Sequence, residues 1–207
     1  MPLEFAAIAD DFTGGPDLAG MLFEQGVRTV QLFGTAGALS VCAETQAVVL
    51  SMKSRSVERE RAVEMTLDAL ATLRRLEPRQ IQFKYCSTFD STQGGNIGPV
   101  AEALLTALDV PFTIAVPALP VNGRTQYLGH LFVQGILLSE SPMRDHPLNP
   151  MTDSNLVRFL QKQTAVRVGL IDLATLRRGD MRAAADRLRA EGVRIALVDA
   201  IEESISH

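Results

Sequence analysis

Carboxylates and cations recur where the apolar runs of this chain end, and those are the places where chemistry could be done. The first run, Leu3 to Ala9, delivers Asp10-Asp11-Phe12-Thr13-Gly14-Gly15-Pro16-Asp17. A later one, Ala47 to Ser51, delivers Lys53-Ser54-Arg55-Ser56. The run Gln80 to Tyr85 carries Lys84 and opens into a polar stretch holding Ser87, Asp90 and Asn96. Phe112 to Val116 leads, through two prolines, to Asn122-Gly123-Arg124. Cations beside loop and helix-end amides suit a carboxylate or a phosphate, and arginine can grip either at two points. Hydroxyls, amides and carboxylates suit a polyol, and a site built to pair hydroxyls rejects analogues that lack them. Together these residues point to a small hydroxylated acid. Each also has a plainer reading, with Asp10 and Asp11 as cap and turn residues and Lys53 and Arg55 as solvated surface charges.

The elements that must position these groups alternate along nearly the whole chain. Strands are predicted at Leu3 to Ala9, Val27 to Phe33, Ala47 to Ser51, Gln80 to Tyr85, Phe112 to Val116, Val166 to Ile171 and Arg194 to Asp199. Helices are predicted at Leu18 to Gln25, Val57 to Leu76, Pro99 to Leu108, Leu156 to Lys162 and from Asp180 to Glu191. Thr13 or Gly15 would cap the first, Ser56 the second, Thr152, Asp153 or Ser154 the fourth, and Asp180 the last. Pro16 suits a first helical turn, where its missing N–H costs nothing. Gly34 to Leu39 reads as a small-residue loop. Asn122-Gly123 is a hairpin signal, with Tyr127 to Phe132 as a following strand. The fold class is therefore α/β: a mainly parallel sheet with helices on both faces, a Rossmann-like three-layer arrangement with right-handed crossovers. Ligands in such sheets bind beyond the carboxyl ends of the strands. The ends of strands one, three, four and five would then share one rim. Two adjacent carboxylates at a strand end cannot both enter the core, because successive side chains alternate faces. At least one of Asp10 and Asp11 should face the crevice, and the loop from Phe83 to Pro99 should form one of its walls.

Composition removes several classes of function. With 207 residues, 46% hydrophobic and 21% charged, the profile is that of a soluble globular chain. A net charge of -4 leaves no basic footprint for nucleic acid. No apolar run approaches the ~20 residues a membrane helix needs, and no leader pattern opens the chain, so the cytoplasm is the expected compartment. Cys42 and Cys86 are two distant thiols, and His130, His146 and His207 are scattered, so neither a disulfide framework nor a metal site is expected. The glycine loop after Asp11 lacks the spacings of dinucleotide and P-loop sites.

Four ordered segments resemble the four-carbon acid sugar kinases: Asp10-Asp11-Phe12-Thr13-Gly14-Gly15-x-Asp17, Lys53-Ser54-Arg55-Ser56, Lys84 through Pro99, and Pro117-Ala118-Leu119-Pro120-Val121-Asn122-Gly123-Arg124-Thr125. The Cys86-Ser87-Thr88-Phe89-Asp90-Ser91-Thr92 form and Pro150-Met151-Thr152-Asp153-Ser154-Asn155 resemble the 3-oxo-tetronate kinase branch. The likeness runs from about residue 4 to 200. One departure is Gly15, where the family has alanine, and it should loosen the helix start without altering a polar group. The resemblance implies transfer of phosphate from ATP, with Mg2+, to the terminal hydroxyl of a four-carbon acid sugar. It also implies two domains, of which residues 1–207 match the acid-sugar-binding one, while the nucleotide-binding domain is absent from this chain. Such a chain should bind the acid sugar without turning it over; the resemblance leaves room for a homodimer. Lys53, Arg55, Lys84 and Arg124 would orient the substrate carboxylate. Asp10, Ser87, Asp90, Asn96 and Asn122 would contact the sugar, and either Asp11 would orient or deprotonate the attacking hydroxyl or the base would lie in the nucleotide-binding domain. A second reading is a free-standing acid-sugar-binding or regulatory module without catalysis.

Overall fold

The fold is given by a computed structural model that describes residues 3–34 and 41–203. Most of the Gly34 to Leu39 loop and the last four residues, His207 among them, lie outside the described residues. The chain divides into two compact units, Met1–Cys86 and Ser87–His207.

The first unit holds four parallel strands, β1 (Phe5–Ala9), β2 (Thr29–Phe33), β3 (Ala47–Ser51) and β4 (Gln80–Lys84), in the order β2-β3-β1-β4. Helix α1 (Gly14–Glu24) packs on β2 and β3, and α2 (Arg59–Arg74) packs on β1. Every residue of β3 is buried, as are Ala6 through Ala9 of β1, which is why both strands read as unbroken apolar runs. Full burial of a side chain such as Ile8 or Leu50 stabilises the unit by roughly 1.5–3 kcal/mol. In register, Ala9 lies opposite Ser51 on one side and Lys84 on the other. The loops after β3, β1 and β4 therefore leave the sheet side by side.

The second unit has its own parallel sheet, β5 (Thr113–Ala115), β9 (Arg167–Ile171) and β10 (Val193–Val198), in the order β5-β10-β9. Helices α3 (Ile97–Ala107), α4 (Leu156–Gln161), α5 (Leu173–Arg177) and α6 (Met181–Ala190) belong to this unit. Ile171, Leu176, Ala184, Ala196 and Val198 form a buried cluster with Phe112 and Leu188 packed against it. A small antiparallel sheet, β6 (Arg124–Tyr127), β7 (His130–Val133) and β8 (Ile136–Leu137), completes the unit.

Several local expectations change. The fifth strand sits in a different sheet from the first, third and fourth, so the predicted common rim is built by three strand ends. The hairpin turn is not Asn122-Gly123, which closes a short 3-10 turn bridged at Leu119 and Arg124. It is Leu128-Gly129, with φ of 48° and 72°, and a second such pair, Gln134-Gly135, joins β7 to β8. Two consecutive positive φ values match the twist of antiparallel strands, and glycine at the second position carries one without steric cost. Capping also differs. Asn155, not its three predecessors, caps α4 by accepting the Arg158 N–H. Asp172 caps the unpredicted α5 through the Thr175 N–H, which lowers its carboxyl below the ordinary range. Thr13, Ser56 and Asp180 make no side-chain caps: α1 and α6 have uncapped Thr13 and Asp180 at their entries, and α2 starts at Arg59.

Candidate functional site

In the first unit, backbone bonds lock three adjacent strand ends together. The Asp10 N–H donates to Lys84 O (3.0 Å), Met52 N–H donates to Ala9 O (2.8 Å), and Ser54 and Arg55 N–H both donate to Asp10 O. Arg55 then reaches back across the loops. Its Nε and Nη2 grip Asp10 at both oxygens, at 3.1 and 2.8 Å, and its Nη1 pairs with Asp11 Oδ2 at 2.9 Å. Asp11 Oδ1 accepts the Gly14 N–H at 2.7 Å, so Asp11 caps the start of α1 in place of Thr13. The alternation expected of adjacent carboxylates holds: the Asp10 side chain is 6% exposed and that of Asp11 24%.

Burial pushes the Asp10 carboxyl above its ordinary range, and the Arg55 hydrogen bond and charge pull it back. Burial alone would lower the Arg55 guanidinium, but the Asp10 hydrogen bond and charge outweigh it, so Arg55 stays above its usual value and is cationic at any working pH. The Tyr85 phenol is raised, first by burial and then by the Asp10 charge.

Lys84 and Lys53 differ from Arg55. Lys84 Nζ donates to Tyr85 O at 3.0 Å and approaches Gly14 from the side next to Asp11. Lys53 is exposed, with its ammonium 5.7 Å from the centre of the Phe12 ring, which itself packs edge-on against Phe33. Neither lysine has a carboxylate partner among the described residues. A Cβ on Gly14 would meet Asp11 Oδ1 at 2.8 Å and Lys84 Nζ at 3.4 Å, so the glycine lets both groups come this close to the backbone. Gly15 does affect polar groups, against expectation: a methyl there would overlap the Ser51 hydroxyl that accepts from Gln31.

The long loop after β4 straddles the division between the two units. Phe83 to Cys86 belong to the first and Ser87 to Pro99 to the second. Within the second unit, Phe89 adopts φ 55° and is fully buried, its ring edge-on to Phe159. That packing offsets the ~1 kcal/mol or more a left-handed phenylalanine costs, and it sets where Asp90 emerges. Asp90 Oδ1 accepts from Asn149 Nδ2 at 2.8 Å. Gln163, buried, accepts the Gly98 N–H through Oε1 and donates through Nε2 to Ser91 Oγ and Thr92 O. A Cβ on Gly98 would come within 2.7 Å of Gln163 Cβ, so the glycine is needed for this approach. The Gly98 amide is occupied and Pro99 has none, so the start of α3 offers fewer free donors than the sequence suggested. Asn96 is buried at the entry to α3, and Ser87 lies in the preceding turn. Asn122 is exposed and its carbonyl accepts from Arg124 Nη1 (2.7 Å).

Asp10, Asp11, Arg55 and Lys84 are thus assembled in one unit, with Lys53 beside Phe12, and the other five candidates lie in the second. Gln163, Asn149 and His146 were missed. They meet the loop from 56 to 72 residues away in sequence, and no local pattern marks them. Among the described residues no group of three or more His, Cys, Asp or Glu is placed to hold a metal ion, and no helix is long and apolar enough to cross a membrane. Both cysteines are free.

Parallel strands whose carboxyl-end loops gather paired aspartates, an arginine and two lysines without carboxylate partners among the described residues make an α/β arrangement of the kind in which small polar ligands are held. The chain belongs to the sugar-binding N-terminal domain family, whose model matches residues 5–205. It is 56% identical over 198 residues to a 3-oxo-tetronate kinase of Burkholderia multivorans, covering 95% of this chain and 46% of the relative. It is 48% identical to a protein of the same name from Escherichia coli K12, covering 97% of this chain and 52% of the relative. The chain spans about half the length of the curated relatives it matches. Among solved structures, a Haemophilus influenzae protein superposes with a TM-score of 0.93 at 46% identity, covering 97% of this chain and 49% of that one. A Bordetella bronchiseptica protein with bound citrate, a domain-swapped dimer, superposes with a TM-score of 0.74 at 26% identity, covering 98% of this chain and 49% of that one.

Proposed function

We propose that this chain is the acid-sugar-binding part of an ATP-dependent kinase that phosphorylates the terminal hydroxyl of a four-carbon acid sugar of the 3-oxo-tetronate type, to the 4-phosphate. The observation that carries this reading is the set of charges at the β3, β1 and β4 ends: two lysines without carboxylate partners beside an aspartate held at both oxygens. The names of the relatives support the substrate class. Citrate, itself a hydroxylated carboxylic acid, is what the Bordetella protein holds, and the assembly of that protein is compatible with a homodimer here.

In this reading Lys84 and Lys53 meet the carboxylate of the acid. Arg55, expected on that carboxylate, has its Nε, Nη1 and Nη2 on the two aspartates and acts by positioning them. Asp11 keeps a spare lone pair on each oxygen and orients, or takes the proton from, the attacking hydroxyl. Taken by itself, the second unit offers Asp90 and Asn96, with Ser87, Asn122 and Arg124, as polar groups suited to sugar hydroxyls. ATP and Mg2+ would be bound by the part of the relatives that this chain does not match, and they supply and neutralise the transferred phosphoryl group in the cytoplasm. Alone, the chain binds without turnover. A stand-alone binding module gives the same binding result but stays inactive when joined to a nucleotide-binding half.

Two measurements test the proposal. Calorimetry with four-carbon aldonates should show micromolar to millimolar binding, and Lys84→Met should weaken it about tenfold or more, as loss of a charge-assisted contact does. Unchanged affinity in that variant would remove Lys84 from the site. In a chain carrying both halves, Asp11→Asn should cut turnover about a hundredfold while affinity changes only a few-fold. Equal losses in both would retire Asp11 as the group acting on the hydroxyl.

A further inference from the structure

His146 belongs to none of the sequence motifs, yet it stands beside Asp90 in the second unit. Asn149 holds both groups. Its backbone N–H donates to His146 Nδ1 at 3.1 Å, and its side-chain amide donates to Asp90 Oδ1 at 2.8 Å. A backbone N–H can only donate, so Nδ1 carries a lone pair and the neutral ring bears its proton on Nε2. His146 Nδ1 lies 3.8 Å from Asp90 Oδ1, beyond a hydrogen bond, so the carboxylate does not orient the ring. Among the described residues Nε2–H has no partner. The imidazole is 32% exposed and the Asp90 side chain 13%. The result is an acceptor-only carboxylate and a donor-only ring edge, fixed side by side by one buried asparagine.

We infer that Asp90 and His146 form a binding site for the hydroxyketone portion of an acid sugar, with Asp90 accepting from a hydroxyl and His146 Nε2–H donating to the adjacent ketone oxygen, and with Asn149 as the positioning residue for both. This rests on the acid-sugar reading above and names the residues that would set its preference for the oxo form. A ketone oxygen accepts and has no proton to place, so it satisfies Nε2–H with nothing left over. A hydroxyl at the same position also accepts, but brings a proton that needs a further acceptor. The opposite tautomer would set a lone pair against the ketone. What fixes the preference is therefore the Asn149 amide.

The test compares a 3-oxo four-carbon acid with its 3-hydroxy counterpart, threonate, by calorimetry on the whole chain, with melting temperature recorded for each variant. The wild type should favour the oxo acid. His146→Ala should weaken it about tenfold and threonate less, and His146→Gln, whose amide reaches the place of Nε2–H, should recover part of the loss. Nitrogen-resolved NMR of the imidazole should show the Nε2–H form and a shift of that proton when the oxo acid is added. Equal or no change for both acids in His146→Ala at an unaltered melting temperature overturns the inference alone, as does an Nδ1–H ring. Wild-type chain that binds neither acid would remove the acid-sugar reading and this inference with it.

Discussion

Replacing Arg55 with methionine is expected to cost the first unit about 3–5 kcal/mol at neutral pH, the usual consequence of leaving a buried charge without its partner. Asp10 is the charge in question. It is almost wholly buried, and the two-point contact from Arg55 supplies the side-chain hydrogen bonds to its carboxylate. The loss should also depend on pH in a definite direction. In the folded chain the Asp10 carboxyl already stands above its ordinary value because of burial. A raised carboxyl binds its proton more readily folded than unfolded, so its ionisation opposes folding. That penalty is absent below the unfolded value, near ~3.9, and grows as pH rises through the folded one. Removing Arg55 takes away the main opposing influence, so the folded value climbs further and the penalty at neutral pH enlarges. Urea melts of wild type and Arg55→Met at pH 7 and pH 5 should show the gap between them narrowing on acidification. A gap of equal size at both would mean that Asp10 is not the group left stranded. Binding of four-carbon acids should fall as well, since Asp11 loses the contact that fixes one of its oxygens.

The second large effect is expected at Asp199, which lies just beyond β10 and is completely buried. Its carboxylate accepts from the backbone N–H groups of Leu128 (2.7 Å), Gly129 (2.9 Å) and Leu173 (3.1 Å), and from Gln126 Nε2 (3.3 Å). These donors come from the β6–β7 turn, from the strand before it and from the first residue of α5. Asp199→Ala would leave the buried Gly129 and Leu173 donors and the part-buried Leu128 donor without acceptors, at roughly 1–3 kcal/mol for each buried one, so a loss of about 3–5 kcal/mol is expected. Asp199→Asn should lose less, since one oxygen remains, but its amide turns a donor toward donors. Hydrogen exchange provides the specific readout: the Leu128, Gly129 and Leu173 amides should lose protection together. Retained protection at all three, with stability within ~1 kcal/mol of wild type, would mean that the carboxylate is not what ties the turn to α5.

Much of this was written in local pattern. The alternation of apolar runs with helical segments is legible because each run is short and is set off from the next by a polar or helical stretch, and β3 falls on its predicted residues. The charged residues at the β1, β3 and β4 ends could be named as a group because strand ends in parallel sheets are where loops gather. The family resemblance rested on the same loops.

Partnership was another matter. In sequence, Arg55 counted as a cation for the substrate, and nothing near it says that it turns back 45 residues to hold Asp10. Lys84 looked equivalent to Arg55, yet only tertiary placement leaves it without a carboxylate. Asn122-Gly123 had the better turn composition, but Leu128-Gly129 made the hairpin because Asp199, 70 and 71 residues away, holds both of its amides. Residue types and strand ends follow from side-chain volume, polarity and backbone preference over a few neighbours, so the sequence alone determined them. Which charge meets which, which amide is occupied and which tautomer His146 adopts depend on distances between segments far apart in the chain. Electrostatic and hydrogen-bond energies change steeply over an ångström, and only the folded structure sets those separations.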